Sequence, residues 1–193
     1  MKKLQKNKIS LLLFIILLIG FIWVGTREYK TQEVDEHQIF SDEFKEVSKD
    51  NVFKYANASN VYNALNKGNA LIFFGFNENE FTGKYASILN EAALENGISE
   101  ILYYDFYEDR KNSNGTYESI VNYLKNYIYK DDLGQIHLAA PSFVIVKNKE
   151  ILYYDEETAH VLSVLTPESY WTDYNVGLKK ETLNAAFQNY LED

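Results

Sequence analysis

The chain has 193 residues, no cysteine, and a hydrophobic content of 46%. That content is enough to bury a core, and it excludes a chain that is disordered throughout. The net charge of −9 argues against a nucleic-acid partner, because an acidic surface repels phosphate, and the missing thiol excludes thiol–disulfide exchange.

The first 25 residues differ in character from the rest of the chain. Lysines at positions 2, 3, 6 and 8 precede an uncharged, mostly apolar run of 17 residues, 9–25. This length is at the short end of what spans a bilayer. We therefore predict a cytoplasmic basic tip and one transmembrane helix in 1–25, with the lysines inside and the C-terminal domain extracytoplasmic. A cleaved signal peptide is the alternative, since such peptides also begin with basic residues.

Residues 26–50 are strongly charged and are predicted to form a stalk that becomes a short helix. Phe40, Phe44 and Val47 recur at near-helical spacing, so the apolar side of this helix is expected to pack on the domain. The domain itself is predicted over 51–193. Because the first 25 residues contribute four positive charges to the total of −9, the remainder of the chain carries −13.

From residue 52 onward, segments with strand patterns alternate with segments that have helical patterns. The apolar run 70–76 is typical of a strand buried on both faces of a sheet. The other predicted strands are 52–56, 101–106, 142–146 and 151–154, and the predicted helical stripes are 58–65, 81–92, 117–128 and 183–191. The order β-α-β-α-β-α-β-β-α predicts an α/β fold, in which a mixed sheet has helices on both faces.

Two segments carry a likeness to a known family. Residues 71–85 resemble the strand, active-site loop and helix of thioredoxin, and residues 139–150 resemble its cis-proline strand and the hairpin that follows. The chain is thus similar to the thioredoxin-like superfamily and, as an anchored domain, it resembles the bacteriocin transport accessory proteins of Gram-positive bacteria. The resemblance implies a thioredoxin-like mixed sheet flanked by helices, with Pro141 in the cis conformation.

The chain departs from this family at the residues that carry its chemistry. Asn79 and Thr82 occupy the two cysteine positions and cannot form a disulfide, and Phe73 stands where thioredoxin has a buried acid. The resemblance therefore implies a redox-inactive domain that is not an enzyme and has no cofactor. His37, His137 and His160 do not have the spacing of metal ligands, so no metal site is predicted either.

The resemblance also implies a binding groove at the altered active site. Its residues are Asn79, Glu80, Phe81, Thr82, Ala140 and Pro141. In the family, the residue before the proline offers its N–H and C=O to an extended peptide, and such strand addition needs no thiol. Two plainer interpretations stay open: Asn79 or Thr82 only caps the helix, and Pro141 is an ordinary trans proline.

We expect a membrane-anchored domain that binds a peptide or an export or envelope partner through this groove. The alternative is a structural subunit or spacer of a membrane complex, whose contacts are made by the polar loop 108–115 or by the long segments 129–138 and 156–179. The last of these contains Trp171, which is expected to pack the segment down, although an exposed partner anchor is the other interpretation.

Overall fold

The computed structural model describes residues 35–130, 134–157 and 165–192. The predicted basic tip, transmembrane helix and first part of the stalk lie outside these residues. A compact unit begins at Asp35. In the part of the chain that is described, no helix has both the length and the apolar character needed to cross a bilayer.

The described strands form one five-stranded mixed sheet in the order β1-β3-β2-β4-β5. The elements are α1 (Glu36–Glu43), β1 (Phe53–Tyr55), α2 (Ala58–Lys67), β2 (Ala70–Gly75), α3 (Thr82–Glu95), β3 (Ile101–Asp105), α4 (Tyr107–Lys111), α5 (Gly115–Leu124), β4 (Ser142–Lys147), β5 (Glu150–Glu156), α6 (Pro167–Tyr170) and α7 (Asp173–Leu191). β3 is parallel to β1 and β2, whereas β4 is antiparallel to both β2 and β5. The predicted mixed α/β sheet is confirmed.

Helices cover both faces of the sheet, as the alternating pattern predicted. Consecutive residues of β2 point into opposite cores, since Phe73 belongs to one buried cluster and Phe74 to the other. The first cluster also takes residues from α1, α3 and α7, and the second takes residues from α2 and α5. All six residues of β2 are buried, which explains the unbroken apolar run.

α1 is part of the first core. Phe40 is fully buried and stacks on Phe53 of β1, with ring centroids 4.2 Å apart. The Glu36 carboxylate accepts a hydrogen bond of 3.1 Å from the Tyr55 N–H. Because β1 is an edge strand, this contact gives a partner to a backbone donor at that edge. The expected packing of the Phe40, Phe44 and Val47 side on the domain is therefore found.

The prediction of a polar loop over 108–115 was wrong for the first half of this segment, which belongs to the helix α4. The Asp105 carboxylate accepts a hydrogen bond of 2.9 Å from the Tyr107 N–H and so supports the start of this helix. The Arg110 guanidinium lies over the rings of Phe76 and Phe106, at 5.1 and 5.3 Å from their centroids. These ring contacts stabilise a helix of only five residues, although its composition alone predicts a loop.

Two predicted helix boundaries were also wrong. α5 ends at Leu124 although the apolar spacing continues to Ile128, which is buried beyond the helix end. The long insertion is shorter than 156–179, because α7 already begins at Asp173. The Thr172 hydroxyl accepts a hydrogen bond from the Asn175 N–H and caps this helix, whose first two turns show no apolar stripe.

Candidate functional site

Asn79 organises the loop that enters α3. The Asn79 side-chain Oδ1 accepts a hydrogen bond of 2.9 Å from the Phe81 N–H. The main-chain carbonyl oxygen of Asn79 accepts one of 3.0 Å from the Thr82 N–H. Phe81, which directly precedes the helix, makes no side-chain cap. Asn79 thus holds the turn before the helix, whereas the Thr82 hydroxyl is buried with no hydrogen-bond partner among the described residues.

The same side chain reaches the proline loop. The Asn79 Nδ2 donates a hydrogen bond of 2.8 Å to the Ala140 carbonyl oxygen, across 61 positions of sequence. The Ala140–Pro141 peptide bond is cis, as the resemblance implies. The structure therefore brings together the two segments that the sequence assigned to one groove.

Most of the predicted groove residues lie inside the molecule. The buried ones are Phe81, Thr82, Ala140 and Pro141. Asn79 is half-buried and Glu80 is exposed. A partner at this site would consequently touch the Asn79 and Glu80 side chains and nearby backbone, rather than an open apolar groove.

Two aromatic residues of the added segment pack over the altered site. The Tyr170 ring meets the Phe81 ring edge-on at 6.0 Å, and the Trp171 ring lies 6.3 Å from that of Tyr85. Trp171 is only 8% exposed, which confirms the prediction that it packs the segment down. Sequence spacing could not reveal this covering, because its contacts join residues some ninety positions apart.

A buried polar cluster lies behind this aromatic layer. The Lys179 Nζ is 2.7 Å from an Asp155 carboxylate oxygen and 3.7 Å from one of Glu157. The Tyr85 hydroxyl donates to Asp155, and the Tyr170 hydroxyl donates to Glu157 at 2.8 Å. We did not predict this cluster from the sequence, although the acidic run 155–157 at the end of β5 was a visible signal.

Electrostatics keep the Tyr85 hydroxyl protonated and so able to donate. Burial raises the pKa of Tyr85 well above its ordinary value, and the charge of Asp155 raises it further. The ring of Tyr85 also stacks on Phe73, with centroids 5.7 Å apart and planes 7° apart. Phe73 and Tyr85 thus form an aromatic stack whose polar end is tied to Lys179 through Asp155.

The described residues offer no set of three or more histidine, cysteine or acidic side chains that could hold a metal ion. His37 instead faces the Asn51 side chain, with 3.3 Å between their Nδ1 and Oδ1 atoms. His160 lies outside the described residues. Chemically, the altered site can cap a helix, and its amide groups can donate and accept hydrogen bonds.

Comparison with known proteins adds no relative. Neither a scan against models of protein families nor a search of curated proteins returned a match for this chain.

Proposed function

We propose that the chain is a redox-inactive, thioredoxin-like domain held at the cell membrane by its N-terminal segment. The strand order and directions support the fold assignment, as do a helix that starts directly after β2 and a proline that directly precedes β4. The lysines before the apolar run support an extracytoplasmic domain. The narrower likeness to bacteriocin transport accessory proteins rests on the combination of anchor and fold.

The domain binds an extended segment of a peptide, or of an export or envelope protein, at the altered active site. One observation carries this proposal: the Ala140 carbonyl faces Asn79 and accepts an amide hydrogen from its side chain at 2.8 Å. A side-chain amide donates in the same way as a backbone N–H, so the contact imitates strand addition. The carbonyl oxygen has a second lone pair with which to accept a hydrogen bond from a partner.

The exposed charged side chains beside this contact are those that a bound partner would meet first. Glu78 and Glu80 are exposed in the loop that contains Asn79. We expect a Glu80→Arg variant of the full chain to lose its partner when tagged protein is retrieved from solubilised membranes, because the change reverses a charge at the edge of the site. A Leu178→Arg variant is the matched control, since Leu178 is 52% exposed on α7. The proposal fails if the Glu80→Arg variant retrieves the same partner as the wild type in the same amount.

A structural role is the second candidate function. The first turns of α7 expose large apolar side chains, with Tyr174 at 77% and Leu178 at 52% of their accessible area. Such side chains are typical of contact surfaces. Most of the predicted groove residues, in contrast, are buried. If the domain is a spacer or subunit that uses this added segment, Leu178→Arg loses the partner and Glu80→Arg keeps it.

A further inference from the structure

Residues 165–172, which we call the strap, lie over the altered site. The strap contains α6 and directly precedes α7. Of its residues, only Trp171 is buried. The Tyr170 ring lies edge-on to the Phe81 ring, with centroids 6.0 Å apart, and Phe81 itself is only 1% exposed. The strap therefore covers one side of Phe81 while most of its own residues stay in contact with solvent.

Few polar contacts attach the strap to the rest of the domain. Tyr170 provides two of them, because its hydroxyl donates to the Glu157 carboxylate at 2.8 Å and its carbonyl oxygen accepts a hydrogen bond of 2.7 Å from the Asn175 side chain. The hydrogen bonds between Thr166 and Ser169 stay within the strap. A segment with few buried contacts opens locally at a lower free energy than the core does.

The indole nitrogen of Trp171 makes the closed position of the strap costly. The Trp171 side chain is 8% exposed, and its Nε1 is buried with no hydrogen-bond partner among the described residues. An indole N–H can only donate, and a buried donor without an acceptor costs free energy. Lifting the strap would return this N–H to water and remove the cost. The closed position thus contains an unfavourable contribution that an open one lacks.

The surroundings of the strap can keep their own contacts when it lifts. The Lys179 Nζ lies 3.7 Å from Glu157, so this carboxylate retains its counter-charge without the Tyr170 hydroxyl. The Thr172 hydroxyl caps α7 through a bond within that helix. Trp171 is the centre of an inverse γ-turn, with φ −80° and ψ 56°, in which the Thr172 N–H donates to the Tyr170 carbonyl at 2.8 Å. The strap can therefore hinge at this single turn between α6 and α7.

We propose that the strap is an autoinhibitory cover of the altered site. In the free chain the Tyr170 ring lies on Phe81, and a segment that binds at the altered site displaces the strap and packs on the uncovered ring. Glu80 is exposed and directly precedes Phe81, so a partner that meets Glu80 lies beside the covered ring. This inference rests on the proposed function and adds the regulation of its site.

Hydrogen exchange of the wild-type chain in detergent micelles tests whether the strap opens. The Tyr170 and Trp171 N–H groups donate to the carbonyls of Thr166 and Pro167 at 3.0 and 2.8 Å, so their exchange requires the strap to open. We expect these two amides to exchange at least a hundredfold faster than the hydrogen-bonded amides of α3. Exchange as slow as in α3 would overturn the inference, because the strap would then leave the site only when the whole domain unfolds.

The fluorescence of Trp171 tests whether Tyr170 holds the strap closed. In a Trp23→Phe background Trp171 is the single tryptophan of the chain, and acrylamide quenching of its emission measures its exposure. We expect Tyr170→Ala to raise the quenching constant at least threefold, and Tyr170→Phe, which keeps the ring but loses the bond to Glu157, to raise it less. Tyr174→Ala is the control, since Tyr174 is 77% exposed on α7. Equal quenching in Tyr170→Ala and Tyr174→Ala would contradict the inference.

Partner retrieval separates this inference from the proposed function. From solubilised membranes, we expect tagged Tyr170→Ala to retrieve at least threefold more of the wild-type partner than the wild type does at the same limiting concentration. Unchanged or reduced retrieval would overturn the inference, and if Glu80→Arg still loses the partner, the proposed function stands. If Tyr170→Ala raises retrieval but Glu80→Arg keeps the partner, the strap covers a contact at Phe81 and the proposed binding at the Asn79 loop is wrong.

Discussion

A Lys179→Met variant is expected to lose about 3 kcal/mol of the free energy of unfolding. Lys179 is the cation of the buried polar cluster, and its side chain is 15% exposed, compared with 20% for Asp155 and 6% for Glu157. Methionine keeps an apolar stem over the Tyr85 ring, where the Lys179 Nζ now lies 5.2 Å from the centroid. The substitution therefore leaves the buried Glu157 carboxylate and the partly buried Asp155 carboxylate without their counter-charge.

Chemical denaturation of the full chain in mild detergent measures this loss. Lys180→Met is a control one residue away, because Lys180 pairs with Glu91 and Glu95, whose side chains are more than half exposed. Exposed pairs of this kind contribute about 0–1 kcal/mol each. Equal losses in the two variants would show that Lys179 does not neutralise a buried cluster.

A Phe40→Ala variant is expected to lose about 4 kcal/mol of the free energy of unfolding. Phe40 is fully buried, and its ring contacts those of Phe53, Phe44 and Tyr103, with centroids 4.2, 4.8 and 5.0 Å away. Truncation to alanine removes these contacts and leaves a cavity between α1 and the sheet. The loss would show that α1 belongs to the folded domain.

Ile39 provides the matched control for this second prediction. It is adjacent to Phe40 in α1 but is 44% exposed. Ile39→Ala should change stability by less than about 1 kcal/mol, as is usual for surface substitutions. If Phe40→Ala is no more destabilising than Ile39→Ala, α1 does not contribute to the core.

Local patterns predicted the succession of the main strands and helices along the chain, because each pattern has one physical cause. The run in β2 is apolar throughout because both faces of that strand are buried. α2 ends where the sequence places Gly68, which adopts a φ of +86°. These features depend on neighbours along the chain or on burial alone.

The surroundings of the altered site depend on distant residues, which is why the sequence could not predict them. Phe81 has the spacing of a helical core residue, but what covers it is Tyr170, 89 positions later. The partly buried Lys179 has no local signal, because the second turn of α7 lacks an apolar stripe.

Site-specific photo-crosslinking in intact cells can locate the surface of the domain that a partner contacts. A photoreactive residue replaces exposed Glu80 in one strain and exposed Leu178 in another, and the crosslinked fragments are mapped by mass spectrometry. We expect the probe at Glu80 to capture one partner, within one short contiguous segment of it, and the probe at Leu178 not to capture that segment. Capture at Leu178 alone would contradict the account and would assign the contact to the added segment of the domain.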